Sequence, residues 1–265
     1  MSSPNISDSK CVLVLGATSG IGRALALAIH DLPSQPTVIV GGRRKERLEE
    51  LASRSDRLYS VQIDITSDRE SLKKFVEDLV TKYPDLETVV FSSGVQHIFD
   101  FTKPEDINLD VLQAEFQTNY LSIVTLITLL LPHFLKLSNE GHPSFIVPIT
   151  SALAMVPLAR VINYSATKAA LHSFCLSLSA QLQKTNVHVI EIMPPLVESE
   201  LHDHQGTTPH LSKFWMPLNE FTEKALSGLK RGDIAVPVGD AVEKWETFEK
   251  GKFERVLEGN RPLPQ

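Results

Sequence analysis

Short apolar runs rich in β-branched residues alternate with stretches of helical spacing along almost the whole chain. Nothing else in the sequence restricts the fold as much. Strand-like runs fall at Cys11–Leu15, Thr37–Val40, Leu58–Ile63, Glu87–Phe91, Ser144–Thr150, Val187–Ile192 and Ile234–Val236. Helical patterns separate them. In Ser67–Tyr83, for example, Leu72, Phe75, Val76, Leu79 and Val80 recur at i, i+3, i+4, i+7 and i+8. The runs are apolar on both faces, which predicts strands of a parallel sheet covered by helices on both sides. Strict βα alternation predicts an α/β doubly wound, mostly parallel seven-stranded sheet in a single domain.

The chain has 265 residues, 42% of them hydrophobic, enough for one large domain over residues 10–240. Residues 1–9 read as a disordered tail, 199–218 as a lid over the substrate, and 241–265 as a C-terminal helix and tail. Pro148 is awkward inside the fifth strand, because it has no N–H, and predicts a bulge or unpaired spot. The long helix over 108–137 contains Pro132, which marks a kink or an earlier end. Its apolar core, YLSIVTLITLLL, reads as a buried helix too short to span a bilayer. The formal net charge is −6. With no basic block beyond GRRK, nucleic-acid binding and membrane anchoring lack support. Cys11 and Cys175 sit in apolar runs and read as buried thiols of a reducing compartment, hence a cytoplasmic protein.

The first strand runs into GATSGIG at 16–22, and a helix follows. That context predicts a pyrophosphate-binding turn at a helix N-terminus, as in Rossmann-type dinucleotide sites, with the spacing G-xxx-G-x-G in place of G-x-G-x-x-G; the alternative is a glycine-rich turn with no ligand. The second strand ends without a carboxylate and continues into Arg43 and Arg44. An arginine fork suits a 2′-phosphate, so NADP is preferred to NAD; the bland alternative is a solvated helix start. Asp64 after the third strand can either bond adenine or cap a helix.

Polar groups gather near the strand ends: the SSG of 92–94, Asn119, Ser151, and Tyr164 with Lys168 in YSATK. A free phenol ionises near pH 10. Bringing it to about 7 takes about 4 kcal/mol, which one ammonium about 4 Å away supplies at an effective dielectric of about 20. Lys168, one helical turn on, is therefore expected to make Tyr164 an acid–base group.

GATSGIG, SSG, Asn119, Ser151 with Tyr164 thirteen residues on, YSATK and MPPLVES, in this order, resemble the short-chain dehydrogenase/reductase family over roughly residues 10–200. The resemblance implies an NADP-dependent oxidoreductase interconverting a ketone or aldehyde with an alcohol. Tyr164 would be the acid–base residue, Lys168 would lower its pKa and hold the nicotinamide ribose, Ser151 would orient the carbonyl, and Asn119 would support a water relay. Gly16, Thr18, Ser19, Gly20, Ile21 and Gly22 would line the cofactor turn. Asp64 and Ile65 would touch adenine, with Ser93, Gly94, Pro194, Val197 and Ser199 completing the cofactor wall. His97, Leu153, Leu196 and Trp215 would join Ser151 and Tyr164 around a largely apolar substrate. Relatives of this kind form homodimers or homotetramers.

The sequence departs from the family pattern at Ser92, Pro148, Pro195 and Ser199, none of them a catalytic position. Arg160 either meets an anionic substrate or is solvated. His202, His204 and His210 lack the supporting carboxylates of a metal site, and none is expected. Two other classes stay open: a dinucleotide-binding sensor or scaffold without turnover, and a non-redox lyase or epimerase on the same fold.

Overall fold

Strand β1 (Cys11–Leu15) is buried at every residue because helices cover both of its faces. The computed structural model describes residues 4–259. After β1 come α1 (Gly20–His30), β2 (Thr37–Gly42), α2 (Lys45–Ala52), β3 (Leu58–Gln62), α3 (Arg69–Lys82) and β4 (Leu86–Phe91). The second half runs α4 (Leu109–Phe116), α5 (Ser122–Asn139), β5 (Ser144–Pro148), α6 (Ile162–Leu182), β6 (Val187–Val189) and β7 (Glu191–Met193). The chain closes with α7 (Thr208–Leu211), α8 (Leu218–Arg231), β8 (Ala235–Pro237), α9 (Ala241–Lys244) and α10 (Lys252–Gly259).

The main sheet is parallel throughout, in the order β3-β2-β1-β4-β5-β6. Alternate side chains go to opposite faces. Val12, Val14, Val38 and Val40 pack toward α1 and α8; Leu13, Leu15, Ile39 and Val89 pack toward α3, α5 and α6. Strand order reverses between β1 and β4, which opens a crevice at their carboxyl ends.

The seven-stranded expectation needs one correction. The sheet has six strands, and β7 pairs with β8 in a separate two-stranded ribbon. Ile190 interrupts what the sequence presents as one strand. The cause is Pro148. Ser144 N–H donates to Asn186 O and Thr150 N–H to Ile192 O, so even-numbered residues of β5 bond toward β6 and β7. By this alternation Pro148 faces Ile190 with no N–H to give, and the ladder lapses there.

Three other expectations shift. The tail is ordered from Asn5: Ile6–Asp8 form one 3-10 turn, capped by the Asn5 side chain, and Ile6 is fully buried. Residues 1–3 and 260–265 lie outside the described residues. Helices α4 and α5 join through a π turn at Gln117–Leu121 into one 31-residue helix. By length and composition that helix could cross a membrane, longer than the apolar run alone implied. It is nevertheless a core helix, with Ile123, Leu126, Ile127 and Phe134 fully buried against the sheet. Pro132 does not end it. The carbonyl that Pro132 leaves without a partner belongs to Thr128, which is exposed and open to water.

Candidate active site

A cavity of about 570 Å³ opens at the carboxyl ends of β1, β4 and β5, under the segment 199–211. Its nucleotide end is the turn between β1 and α1. Gly16 has φ +83°, and a Cβ there would lie 2.6 Å from Ser93 N. A Cβ on Gly22 would lie 2.4 Å from Gly16 O. Only glycine lets this turn close so tightly. Ser19 stands at the N-cap of α1 without a side-chain cap bond, so the first N–H groups of the helix are left for an anion.

Arg44 reaches back over this turn. Its Nε donates to Thr18 Oγ1 at 2.9 Å and its Nη2 to Ser19 Oγ at 2.7 Å. Glu200, in the segment over the cavity, accepts from Arg44 at 2.7 Å and from Arg47 at 2.6 Å. Arg43 and Asp64 line the same end. Burial works against ionisation of Asp64, but hydrogen bonds from Thr66 and the charge of Arg43 hold its pKa below the ordinary value. Its Oδ1 accepts from Thr66 N at 2.9 Å, a local turn at the cavity wall.

At the catalytic end, Ser151 caps the short turn 152–154, its Oγ accepting from Leu153 N at 3.1 Å. The Ser151 side chain stands near enough to the Tyr164 hydroxyl to favour its ionised form, against the larger effect of burial. Lys168 Nζ lies 5.6 Å from the centre of the Tyr164 ring and donates to Ile149 O at 2.8 Å. The three residues are buried and share the cavity wall.

The electrostatics correct the sequence argument. Burial raises the Tyr164 phenol above its ordinary value; the Ser151 side chain opposes this and the Glu115 carboxylate adds to it. Burial also pushes Lys168 down to about 8, against the pull of Cys175, Glu191 and Glu115. The sequence estimate left out desolvation, which is the largest contribution at both groups. Tyr164 is thus held as a protonated phenol.

Among the expected cofactor residues, Gly16, Thr18, Ser19, Gly20, Ile21, Arg43, Arg44, Asp64, Ile65, Ser93, Gly94, Pro194, Val197 and Ser199 line the cavity. Gly22 lies behind the turn, where its missing side chain admits Gly16. Asn119 is also set back. Its Nδ2 donates to Val95 O at 2.8 Å and Thr167 Oγ1 at 3.2 Å, and its Oδ1 accepts from Val95 N. It clamps the segment after β4 to α6 from within the π turn, a distortion frequent at functional sites.

Leu153 and Leu196 line the substrate end, whereas His97 and Trp215 do not. His97 turns away: its ring meets His204 edge-on at 5.1 Å and its Nδ1 lies 3.6 Å from Glu115 Oε2. Trp215 is on the wrong side of a short extended stretch, in which Met216 pairs with Val197.

Two features escaped the sequence reading. Glu115, fully buried, accepts from Asn163 Nδ2 at 3.1 Å; a lone acid four residues before Asn119 on one helix face was the available signal. The other is a buried chain of charges. His172 Nδ1 meets Glu191 at 2.9 Å, His172 Nε2 meets Glu249 at 2.9 Å, and Thr150 Oγ1 donates to Glu191 at 2.5 Å. Its partners lie 19 and 77 residues from His172, and no local pattern announces them. No group of three metal-ligating side chains forms among the described residues.

Comparisons with known proteins agree with this geometry. The profile of the short chain dehydrogenase family matches residues 10–209. An uncharacterized oxidoreductase of Bacillus subtilis, DltE, is 34% identical over 93% of this chain and 94% of its own. An NADP-dependent 3-hydroxy acid dehydrogenase of Schizosaccharomyces pombe is 28% identical, with 73% of each chain covered. The fold is shared with a short-chain dehydrogenase from Sphingobium yanoikuyae solved with NADPH: TM-score 0.79 at 19% identity, over 96% of this chain and 97% of that one.

Proposed function

The chain belongs to the short-chain dehydrogenase family, and from that premise we propose that it is an NADP(H)-dependent oxidoreductase interconverting a carbonyl compound and an alcohol. The observation that carries the proposal is the convergence on one cavity of Ser151, Tyr164 and Lys168 from one side and an uncapped helix N-terminus from the other.

The residues present fit a dinucleotide. The turn 16–22 and the start of α1 suit the pyrophosphate, and Arg43 and Arg44 suit a 2′-phosphate. Lys168 would hold the nicotinamide ribose. When bound, NADP(H) supplies or accepts the hydride.

The remaining work belongs to the chain. Ser151 orients the carbonyl oxygen by hydrogen bonding. Tyr164, kept protonated by burial, is a proton donor to that oxygen as negative charge develops on it. Lys168, four residues on, favours the phenolate left after transfer. Asn119 ties the Val95 backbone, in the segment after β4, to Thr167 of α6, which keeps the neighbouring Gly94 backbone beside Lys168; a Cβ on Gly94 would lie 3.8 Å from Lys168 Nζ. The family's water relay through Asn119 remains part of the proposal.

We also propose self-association through the long helix. Leu121 and Leu135 are exposed on it four helical turns apart, on one side. The two buried free thiols support a cytoplasmic location.

The test is oxidation of NADPH by purified protein in the presence of aldehydes and ketones, followed by loss of reduced-nicotinamide absorbance. Arg44→Ala is expected to narrow the NADPH-over-NADH preference by about tenfold or more, the size of one charged hydrogen bond of about 1.5–3 kcal/mol. An unchanged preference would exclude Arg44 from phosphate recognition. No turnover with any carbonyl would sink the activity.

A further inference from the structure

The charged groups around the cavity are nearly all matched. Glu200 is paired with Arg44 and Arg47, and Lys244 with Asp240. Asp64 is bonded by Thr66, and Lys168 Nζ by Ile149 O. Two guanidinium groups lining it, both on exposed residues, have no ion pair among the described residues: Arg43 and Arg160. Arg43 belongs to the nucleotide end, beside Asp64. Arg160 does not. It sits in the 3-10 turn Ala159–Val161, four residues before Tyr164 and on the approach to α6.

The lid wall of the same cavity carries two more unmatched polar groups. His202 is 5% exposed and lines the cavity, and its Nδ1 is buried with no hydrogen-bond partner. Thr207 Oγ1, also on the lining, is buried and unpartnered too. An unsatisfied buried polar atom costs about 1–3 kcal/mol, and two beside one cavity mark a site for something that bonds them. Burial, with smaller effects of the His204 and Arg160 charges, holds the His202 imidazole below its ordinary pKa against the pull of Asp203. Leucines 153, 158, 196 and 211 line the space as well, room for a short aliphatic stem.

We propose that the carbonyl substrate carries a carboxylate, held between Arg160 on the turn before α6 and the His202 and Thr207 side chains of the lid. The guanidinium fork matches a carboxylate, and the lid donors supply the remaining bonds. A substrate of this kind replaces the expectation of a largely apolar molecule with a short chain that is charged at the end away from the carbonyl. The inference rests on the oxidoreductase reading for its turnover arm only.

The turnover arm compares ω-oxo carboxylates of graded length with their methyl esters, as kcat/KM with NADPH. The expected result is a preference for the acid of at least tenfold at the best length. Arg160→Gln should bring the acid-to-ester ratio close to one, and Arg160→Lys should restore part of it. A ratio near one in the wild type, or one untouched by Arg160→Gln, overturns the proposal. The binding arm needs no turnover: saturation-transfer NMR of butyrate against butyramide, with NADP⁺ present. Binding of butyrate that Arg160→Gln removes supports the site. Equal or absent binding of the two overturns it. If no carbonyl, charged or neutral, oxidises NADPH, the reaction has been misread, and the binding arm still decides the anion site.

Discussion

Replacing His172 by leucine should cost this protein several kcal/mol of stability, about 3–5. The imidazole bridges Glu191 and Glu249 at 2.9 Å on either side, and all three side chains are at most 6% exposed. Leucine would leave two buried carboxylates facing one another without a cation between them; only Lys252 Nζ, 2.8 Å from Glu249, would remain. Removing one partner from a buried ion pair typically costs about 3–5 kcal/mol. For a chain of this size each kcal/mol moves Tm by about 2–4 °C, so a fall of roughly 6–20 °C is expected. The effect has a pH signature. Burial alone would depress the His172 pKa, but the bonds and charges of Glu191 and Glu249 reverse this and raise it above the ordinary value. A raised histidine pKa contributes stability that is complete below about pH 6.5 and is lost as pH rises through the folded value. Thermal melts of wild type and His172→Leu across that range should therefore differ most at acid pH. A difference under about 2 °C at pH 6, or one that widens toward alkaline pH, would refute the charge-bridge account.

Lys168→Met should trade activity for stability. The Lys168 pKa, lowered to about 8 by burial, means the charged lysine destabilises the fold below that pH, by up to about 3 kcal/mol, and less as pH climbs toward 10.5. Loss of the bond to Ile149 O offsets about 1 kcal/mol of the gain. The variant should melt higher than wild type at pH 7, with the advantage shrinking in alkali, and its kcat/KM should fall at least about a hundredfold. Gly22→Ala places a methyl group 2.4 Å from the Gly16 carbonyl, a backbone atom that cannot swing aside. Calorimetry should find about 1–3 kcal/mol of lost stability, and NADPH titration a loss of affinity of at least tenfold.

The fold was legible because its main constraint is local. Continuous apolar runs such as CVLVL and TVIV can be satisfied only between two layers of helix, and the intervening patterns supply those layers. The glycine turn, Ser151, Tyr164 and Lys168 were legible for a similar reason: each stands at a strand end or helix start whose position the alternation already sets. What escaped depends on contacts distant in sequence. Ile190 interrupts a strand because of Pro148 on its neighbour. Ile6 is ordered because the core covers it. Glu249 reaches His172 from the far end of the chain. His97 and Trp215 were placed at the pocket by proximity in sequence to SSG and to the lid, but the His97 ring packs against Phe99 and His204, and the Val197–Met216 pairing sets the side on which Trp215 lies. Desolvation of Tyr164 and Lys168 was not legible either, because it depends on how deeply the fold buries them.

The most direct test of the account is Tyr164→Phe, assayed for NADPH-dependent carbonyl reduction alongside NADPH binding. The substitution removes one hydroxyl and keeps the ring that packs beside Lys168. The account predicts that turnover falls by about 10²–10⁴-fold, the usual worth of a positioned general acid, while NADPH affinity stays within about threefold of wild type. Turnover within about tenfold of wild type, with the cofactor still bound, would contradict the claim that this phenol delivers the proton.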